Sequence, residues 1–349
     1  MKPTLAFYMG YSESFNGLNY HSKNVFGSEI NAIKLAESLV DFYDVTIFVN
    51  IPQSDEITYN QVHYKHLYKI SDFQNLDILI IVRYINYFLY NHHNAKKTFI
   101  WVCDTIVNPV YNGDRITNNA SHLIYNVKEK INGLVFLSDW HIYNNSQIID
   151  FSNFNTHIIF NPLDITYYKS NIPIIKNRFI YMSDPNRGLS ILLDCLIYIQ
   201  QFIQDISLVV FRNHEFSIEI QHKIKLLHNC KSYAKASQQI IANECLQAEY
   251  FFYPTNFYET FCNCAAEAQL YHTVCIYNSL AGLTSTIGDR GLSINHDLQD
   301  PDYIKKTCND VINLMNDESK KNDFRTRGHN WASQLCLDQI KKQWIELFN

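Results

Sequence analysis

"RFIYMSDPNRGLSILLDCLIYIQQF" (residues 178–202) contains a strand, a short polar loop and a helix in direct succession, and this order decides the fold. Its first six residues are mostly apolar and predict a buried strand. After the loop, apolar side chains return every three or four residues, which predicts a helix with one buried face. The residues of that face are Leu189, Leu192, Leu193, Leu196 and Ile199. A strand that leads directly into a helix is the unit from which parallel sheets are built.

The same alternation of strands and helices runs through both halves of the chain. In the first half, "FGSEINAIKLAESLVDFY" (26–43) predicts a helix, and "INGLVFLSDWHIYNN" (131–145) predicts a strand, an N-cap at Ser138 and a second helix. Strands with near-continuous apolar residues are typical of parallel sheets covered by helices on both faces. The predicted strands of this kind are 4–10, 44–49, 76–82, 97–104, 178–183, 206–211, 248–254 and 272–278.

The length of 349 residues exceeds what one hydrophobic core usually organises, so we expect two domains. The two runs of alternation meet near residues 165–176. We predict an α/β fold with Rossmann-like domains at 1–165 and 166–330, followed by a helical segment at 331–349. Ligands of such sheets bind beyond the carboxyl ends of the strands, so the loops at those ends are the candidate sites.

Composition excludes several classes of protein. With 47% hydrophobic and 18% charged residues, the chain is typical of a globular protein. A net charge of -5 without basic clusters argues against nucleic acid as the main partner. No apolar run reaches the roughly 20 residues of a membrane span, and the start predicts a strand rather than a signal peptide. Nine scattered cysteines without a C-x-x-C pair predict reduced thiols and a cytoplasmic location.

Two loops of this sequence have the features of phosphate sites. In "DPNRGL" (184–189), Arg187 and Gly188 stand at the start of a predicted helix, where backbone amides and one guanidinium attract an anion. A surface arginine in an ordinary turn explains this loop equally well. In "FGSE" (26–29), Gly27 permits close approach of a ligand and Ser28 can bond a phosphate, although a simple helix cap has the same pattern. No G-x-G-x-x-G motif follows a strand, which disfavours a dehydrogenase.

Two glutamates lie eight residues apart in a segment of small and apolar residues, "ETFCNCAAEAQL" (259–270). We expect Glu259 in the loop after the strand at 248–254 and a helix that begins near Thr260 or Phe261. At about 100° per residue, Glu259 and Glu267 then lie near one face, separated by about 12 Å along the axis. That separation fits the two ends of a sugar nucleotide better than one acid–base pair. A solvated helix face is one alternative. A metal site using Cys262 and Cys264 is another, but a lone C-x-C is more often two core residues, and we assign no metal.

In their order along the chain, these segments resemble those of the GT-B glycosyltransferases of the large retaining family 4. The resemblance rests on the Glu-x7-Glu motif, the phosphate loop, two segments near the end of the first domain and a C-terminal segment. These segments read "ETFCNCAAEAQLYHTVCIYNSLAGL" (259–283), "SDPNRGLSILLD" (183–194), "VFLSDWHIYN" (135–144), "IIFNPLD" (158–164) and "RGHNWASQLCLDQIKKQW" (327–344). It implies two Rossmann-like domains whose parallel sheets face a cleft, and a C-terminal helix that crosses back to the first domain.

The resemblance also implies a reaction, in which a hexose moves from a nucleotide-diphospho-sugar donor to an acceptor hydroxyl, with retention and without metal or cofactor. Glu259 would bind the sugar hydroxyls, Glu267 the ribose hydroxyls, and Arg187 the leaving diphosphate. The other donor contacts would come from the amides of Thr260, Phe261 and Cys262, from Ser183, and from Gly27 and Ser28. Asp104 is a candidate for the acceptor side. The acceptor itself, a glycan, lipid or protein, is not identified.

Four positions depart from the family pattern. Cys262 replaces a common glycine, Asp184 replaces a common basic residue, Cys103 replaces a common histidine, and Pro162 stands where glycine is usual. Two other functions therefore stay open. One is a catalytically silent GT-B subunit that binds sugar or nucleotide, and the other is a different GT-B enzyme such as a nucleotide-sugar epimerase.

Overall fold

The computed structural model describes residues 2–10, 12–20, 25, 27–73, 75–91, 95–107, 109–112, 115–119, 122–168, 172–212, 215–234 and 236–349. The chain divides into two compact units. The first comprises Met1–Pro162 together with Leu337–Asn349, and the second comprises Leu163–Cys336. The domain limits predicted from the sequence are residues 165 and 330.

The first unit is built on an eight-stranded sheet in the order β10-β9-β6-β5-β1-β2-β4-β3, with β7 and β8 forming a separate antiparallel pair. Neighbouring strands of the large sheet are parallel except β3 and β4. The strands are β1 (Thr4–Tyr8), β2 (Asp44–Val49), β3 (Ile57–Tyr59), β4 (Val62–His66), β5 (Leu76–Val82), β6 (Ala95–Trp101), β7 (Pro109–Asn112), β8 (Arg115–Asn119), β9 (Gly133–Phe136) and β10 (Thr156–Ile158).

Helices α1 (Gly27–Leu39), α2 (Tyr87–Tyr90) and α4 (Asp139–Ser146) of the first unit follow strands of this sheet, and α3 (Leu123–Asn126) follows β8. The predicted cap of α4 is confirmed, since the Ser138 hydroxyl accepts a hydrogen bond from the amide of His141 at 3.1 Å. Glu29 lies buried in the first turn of α1, where a carboxylate needs a partner.

The second unit has a six-stranded, fully parallel sheet in the order β13-β12-β11-β14-β15-β16. The strands are β11 (Arg178–Tyr181), β12 (Ser207–Phe211), β13 (Cys230–Tyr233), β14 (Tyr250–Tyr253), β15 (Val274–Asn278) and β16 (Leu292–Ile294). The two central strands, β11 and β14, are buried along their whole length, as the apolar runs predict.

Seven helices complete the second unit: α5 (Leu189–Ile199), α6 (Ile218–Leu226), α7 (Gln238–Gln247), α8 (Asn263–Leu270), α9 (Leu283–Thr286), α10 (Tyr303–Met315) and α11 (Glu318–Ala332). The predicted face of α5 is confirmed, because all five of its leucine and isoleucine positions are buried. The Asp300–Asp302 pair precedes α10, and its Asp300 carboxylate is bonded to the Asp302 amide and to Lys306.

The last helix, α12 (Leu337–Phe348), belongs to the first unit. Its Trp344 packs edge-on against Trp101 at a ring separation of 5.1 Å, and Phe348 packs against Tyr43 at 5.7 Å. The predicted helical segment at 331–349 is not one continuous helix. A 3-10 turn at Ser333–Leu335 and an extended backbone at Cys336 separate α11 from α12.

These elements confirm the predicted α/β class with two parallel sheets and a C-terminal helix that returns to the first unit. All nine cysteines are free. Within the described ranges, no helix combines the length and the apolar character that crossing a membrane requires.

Candidate active site

The loops that follow β11 and β14 leave the same edge of the second sheet, because these two strands are parallel neighbours. The β11 loop forms a short 3-10 turn, Pro185–Arg187, and ends at Gly188 with φ +114°. A Cβ atom on Gly188 would lie 2.5 Å from the carbonyl oxygen of Pro254, the residue after β14. Only glycine suits this position, and its absent side chain lets the two loops meet.

Arg187 and Glu259 form an ion pair between these loops. Arg187 Nη1 lies 3.1 Å from Glu259 Oε1, and the guanidinium stacks on the ring of Phe257 at 3.7 Å. The Arg187 side chain is 37% exposed and that of Glu259 12%. Burial is the largest single influence on the pKa of Arg187 and acts to lower it, but the charge of Glu259, the hydrogen bond to Glu259 and the nearby Tyr253 and Asp184 together raise the pKa. Arg187 therefore carries its positive charge at the edge of the sheet.

Tyr253, the last residue of β14, is a second partner of Glu259. Its hydroxyl lies 2.8 Å from Glu259 Oε1 and 3.0 Å from the hydroxyl of Ser183. Burial first, and then the charge of Glu259, raises the pKa of Tyr253, so the phenol keeps its proton. The sequence identifies Ser183 but not Tyr253, since a tyrosine in an apolar strand reads as a core residue. No pattern in a single sequence distinguishes Tyr253 from a tyrosine of the core.

Asp184 shapes the turn that carries Arg187. Its carboxylate accepts a hydrogen bond from the amide of Asn186 at 2.9 Å, and its carbonyl oxygen accepts one from the hydroxyl of Tyr181 at 2.7 Å. The family pattern has a basic residue at this position. Here it holds a capping carboxylate, so the loop gains order and a negative charge.

Helix α8 begins at Asn263, and the predicted start near Thr260 or Phe261 is wrong. The reason is Cys262, whose backbone has φ +74°, a conformation that cannot continue a helix. Glu259 lies in the loop before the helix, as the sequence predicts, but Thr260, Phe261 and Cys262 separate it from α8, so helical geometry does not relate it to Glu267. The Cys262 carbonyl oxygen accepts hydrogen bonds from the amides of Ala265 and Ala266 and so starts α8.

The turn before α9 fixes the segment that follows Glu259. The Gly282 amide donates to the Glu259 carbonyl oxygen at 2.8 Å. A Cβ atom on Gly282 would lie 2.4 Å from the carbonyl oxygen of Thr260. The Thr286 hydroxyl donates to the carbonyl oxygen of Phe261, whose side chain is buried. The turn before α9 and the end of α9 therefore hold the backbone of Glu259, Thr260 and Phe261 in place.

Glu267 lies half-buried in α8. Burial first, and then the charge of Glu267, raises the pKa of the Cys245 thiol and of the Tyr271 phenol. The thiol of Cys245 in α7 and the phenol of Tyr271 at the end of α8 therefore lie near Glu267, which also retains some exposure to solvent.

Cys262 and Cys264 behave as packing residues. The Cys264 thiol donates to the carbonyl oxygen of Met182 at 3.2 Å, and burial raises the pKa of both thiols. Across the part of the chain that the structure describes, no three His, Cys, Asp or Glu side chains converge as metal ligands do.

The first unit has its own charged cluster, at the ends of β5 and β6. Arg83 follows β5 and holds Asp104 with two hydrogen bonds, Nη2–Oδ1 at 2.7 Å and Nε–Oδ2 at 3.1 Å. It also contacts Glu29 Oε1 at 3.3 Å, and the Ser28 hydroxyl donates to Glu29 Oε2 at 2.9 Å. Burial is the largest single influence on the pKa of Arg83 and acts to lower it, but the hydrogen bonds to Asp104, the charge of Asp104 and the nearby Tyr84 and Cys103 together raise the pKa. Gly27 is the exposed first residue of α1.

Arg83 and Glu29 are absent from the sequence-based site. Arg83 was visible as a charge interrupting an apolar run, and its position just after a predicted strand was the signal that could have identified it. The buried Glu29 gave no such signal, because it follows Ser28 in an ordinary helix start.

His141 supports Asp104 from α4. Its Nε2 donates to the Asp104 carbonyl oxygen at 2.6 Å, and its Nδ1 accepts from the Leu137 amide at 3.4 Å. Burial lowers the pKa of His141 to about 4, so the imidazole is neutral at neutral pH. The structure thus collects Ser183, Arg187 and Glu259 in the second unit, and Ser28 and Asp104 around Arg83 in the first.

Known proteins resemble this chain in structure. No protein-family model and no curated protein matches its sequence. Sucrose-phosphate synthase from Thermosynechococcus elongatus matches with a TM-score of 0.74 and 12% identity, over 99% of this chain and 98% of that protein. HepE from Anabaena, solved with UDP-glucose, gives a TM-score of 0.69 and 13% identity over 98% of both chains. TarM from S. aureus, in a complex that includes UDP, gives 0.60 and 15% identity.

The match to TarM covers 78% of this chain and 55% of TarM, so the chain spans little more than half of that protein. At 12–15% identity, the likeness to these proteins shows the fold alone. Membership of family 4 stays a prediction. The two parallel-sheet units and the full-length matches confirm the predicted architecture: the chain has the GT-B fold.

Proposed function

We propose that the chain is a retaining, metal-independent glycosyltransferase that moves a sugar from a nucleotide-diphospho-sugar to an acceptor hydroxyl. The observation that carries this proposal is the pair of Arg187 and Glu259 at the carboxyl ends of β11 and β14. Open parallel sheets bind ligands at this edge. HepE and TarM, which share the fold, were solved with UDP-glucose and UDP, and these ligands support a nucleotide donor.

Arg187 would hold the diphosphate. Its guanidinium is partly exposed, stacked on Phe257 and bonded to Glu259 through one nitrogen, so other N–H groups are left to point at phosphate oxygens. The charge on a diphosphate grows as the sugar bond breaks, and a fixed cation at that place stabilises the leaving group. In this proposal Arg187 supplies that cation.

The other donor contacts follow the division that the family resemblance implies. Glu259 would accept hydrogen bonds from the sugar hydroxyls, and Glu267 from the ribose hydroxyls. The amides of Thr260, Phe261 and Cys262 would help to bind the sugar and phosphate. The remaining contacts are proposed for Ser183 in the second unit and for Gly27 and Ser28 in the first.

The acceptor side is proposed for the cluster around Asp104. Two carboxylates, Asp104 and Glu29, surround the single guanidinium of Arg83. Hydroxyl groups of an acceptor can donate hydrogen bonds to carboxylate oxygens of this kind.

The reaction needs neither a metal nor an organic cofactor in this proposal, because the nucleotide sugar is a substrate and Arg187 supplies the positive charge. The nine free cysteines fit a reducing compartment, and we propose the cytoplasm as the location.

A catalytically silent GT-B subunit is the second candidate. It is favoured by Asp184, whose carboxylate caps the turn at the position of a second cation. Cys103 also favours it, because burial raises the pKa of this thiol, which therefore cannot exchange protons near pH 7 as a histidine can. A nucleotide-sugar epimerase is the third candidate.

The test combines binding with turnover. The melting temperature of the protein is measured with UDP, GDP and ADP, and a panel of their sugar conjugates is then incubated with and without candidate glycan acceptors. A ligand at about 100 times its Kd stabilises the folded state by about 2.7 kcal/mol, a shift of several degrees. Transfer to an acceptor supports the proposal. Binding without consumption indicates the silent subunit, and an altered sugar without acceptor indicates the epimerase. If no nucleotide binds, the proposal fails.

A further inference from the structure

A chain of three oxygen-bearing side chains ends at Glu259. The Ser183 hydroxyl contacts the Tyr253 hydroxyl at 3.0 Å, and the Tyr253 hydroxyl contacts Glu259 Oε1 at 2.8 Å. Tyr253 is fully buried at the end of a central strand, so its hydroxyl has a fixed position. The fold thus places a rigid donor beside Glu259.

The direction of these hydrogen bonds follows from counting protons. An ionised carboxylate only accepts, and a phenol has a single proton to donate. Tyr253 therefore donates to Glu259, and Ser183 must donate to Tyr253. Ser183 keeps its lone pairs for other donors, while its proton is used inside the protein.

The two donors to Glu259 reach the same oxygen. Arg187 Nη1 and the Tyr253 hydroxyl both bond Oε1. Among the residues that the structure describes, none donates to Oε2. Because the side chain retains 12% exposure, Oε2 is the oxygen that can meet a ligand.

We propose that Tyr253 is a positioning residue, which holds Oε1 of Glu259 and leaves Oε2 to accept a hydroxyl of the transferred sugar. The inference rests on the proposed glycosyl transfer. Arg187 alone cannot fix the carboxylate, since a bound diphosphate competes for the same guanidinium. Tyr253 faces no such competition because it is buried, so it holds Glu259 in place while Arg187 serves the leaving group.

The test compares Tyr253→Phe with Tyr277→Phe. Tyr277 is the register partner of Tyr253 on β15, it is also buried, and its hydroxyl donates to the Gly288 carbonyl oxygen at 2.9 Å. Tyr253→Phe loses the hydrogen bonds of the hydroxyl to Glu259 and Ser183, whereas Tyr277→Phe loses a hydrogen bond of its hydroxyl that does not involve Glu259. We expect Tyr253→Phe to lower kcat about ten- to a hundredfold, with UDP affinity within about threefold of wild type. Tyr277→Phe should retain the wild-type kcat.

Ser183→Ala is the second variant, and it keeps the phenol but removes the proton that orients it. We expect a smaller loss of kcat, about threefold, and it serves as the test if Tyr253→Phe does not fold. Equal kcat values for Tyr253→Phe and Tyr277→Phe would overturn the proposal, as would an unchanged kcat in Ser183→Ala where only that variant folds.

Crystal structures of the variants separate this inference from the proposed function. The Glu259 carboxylate should rotate or lose its order in Tyr253→Phe, or in Ser183→Ala to a lesser degree, and should keep its place in Tyr277→Phe. If the wild type consumes no donor, the proposed function fails. The crystal structures then still test whether Tyr253 positions the Glu259 carboxylate. A carboxylate that stays in place in all variants refutes the positioning role.

Discussion

Arg187 and Glu259 are 72 residues apart in the chain, yet their side chains form an ion pair of 3.1 Å at one edge of the second sheet. Each charge offsets the other before any ligand arrives. A diphosphate must therefore compete with Glu259 for the guanidinium. This competition separates the expected effects of substitutions at the two positions, since loss of Arg187 removes an attraction and loss of the Glu259 charge removes a repulsion.

Replacing Arg187 by alanine should weaken UDP binding about ten- to a hundredfold, because charge-assisted hydrogen bonds to phosphate are lost. Isothermal titration calorimetry measures the change. The matched control is Arg327→Ala, since Arg327 has the same 37% side-chain exposure and pairs with Asp289 at 2.9 Å on the surface. Equal UDP affinity in the two variants would show that Arg187 does not bind the diphosphate.

Replacing Gly282 by alanine should disturb the backbone that carries Glu259. The new Cβ would overlap the Thr260 carbonyl oxygen at 2.4 Å, and we expect a loss of about 3 kcal/mol in the free energy of unfolding, with loss of turnover. Gly288→Ala is the control, because there the nearest atom lies 3.7 Å away and only the φ of +54° opposes a side chain, at about 1 kcal/mol. Urea unfolding and donor consumption are measured for both. Full turnover in Gly282→Ala would contradict the role of this contact.

Cys262 should accept glycine with little change in stability. Its φ of +74° costs a residue with a side chain about 1–2 kcal/mol, and relief of this strain offsets the lost burial of the thiol. Cys275→Gly provides the comparison, because this buried cysteine lies in strand β15 and has no strain to relieve. We expect Cys275→Gly to lose about 2 kcal/mol and Cys262→Gly less than 1 kcal/mol. Equal losses in urea unfolding would argue against strain at Cys262.

The stability of the first unit should fall as the pH decreases below about 6.5. His141 has its ordinary pKa of 6.5 in the unfolded chain and a pKa of about 4 when folded, so the unfolded state binds more protons between these values. Its contribution is fully present above pH 6.5 and is lost as the pH falls toward 4, with a slope of at most about 1.4 kcal/mol per pH unit. His141→Gln should weaken the dependence of the melting temperature on pH between pH 6.5 and 5. A slope in His141→Gln equal to that of the wild type would contradict the assignment.

The alternation of strands and helices could be predicted because it depends on local patterns. Apolar runs identified β2 and β5 with their bounds, and the Ser138 cap identified α4. The polar edge strand β13 has no such pattern, since a strand at the edge of a sheet need not be apolar. The pattern of apolar residues therefore identifies strands that are completely buried and misses strands that are partly exposed.

The candidate site was predictable only in part. Arg187 and Glu259 stand in motifs, so the sequence identifies them. Tyr253 gains its role from side-chain contacts with Ser183 and Glu259, which no local pattern encodes. Arg83 stands just after a predicted strand, but its partners Asp104 and Glu29 lie in other segments. The start of α8 was misplaced because a positive φ at a cysteine cannot be read from composition.

The most direct test of the central claim is turnover and UDP binding in Glu259→Gln, which keeps the size of the side chain and removes its charge. Donor consumption is measured by UDP release from the sugar nucleotide that the wild type uses best, and UDP affinity by calorimetry. We predict that turnover falls about a hundredfold, while UDP affinity is unchanged or rises about fivefold as roughly 1 kcal/mol of repulsion disappears. Wild-type turnover in Glu259→Gln, or no consumption of any donor by the wild type, would contradict the account.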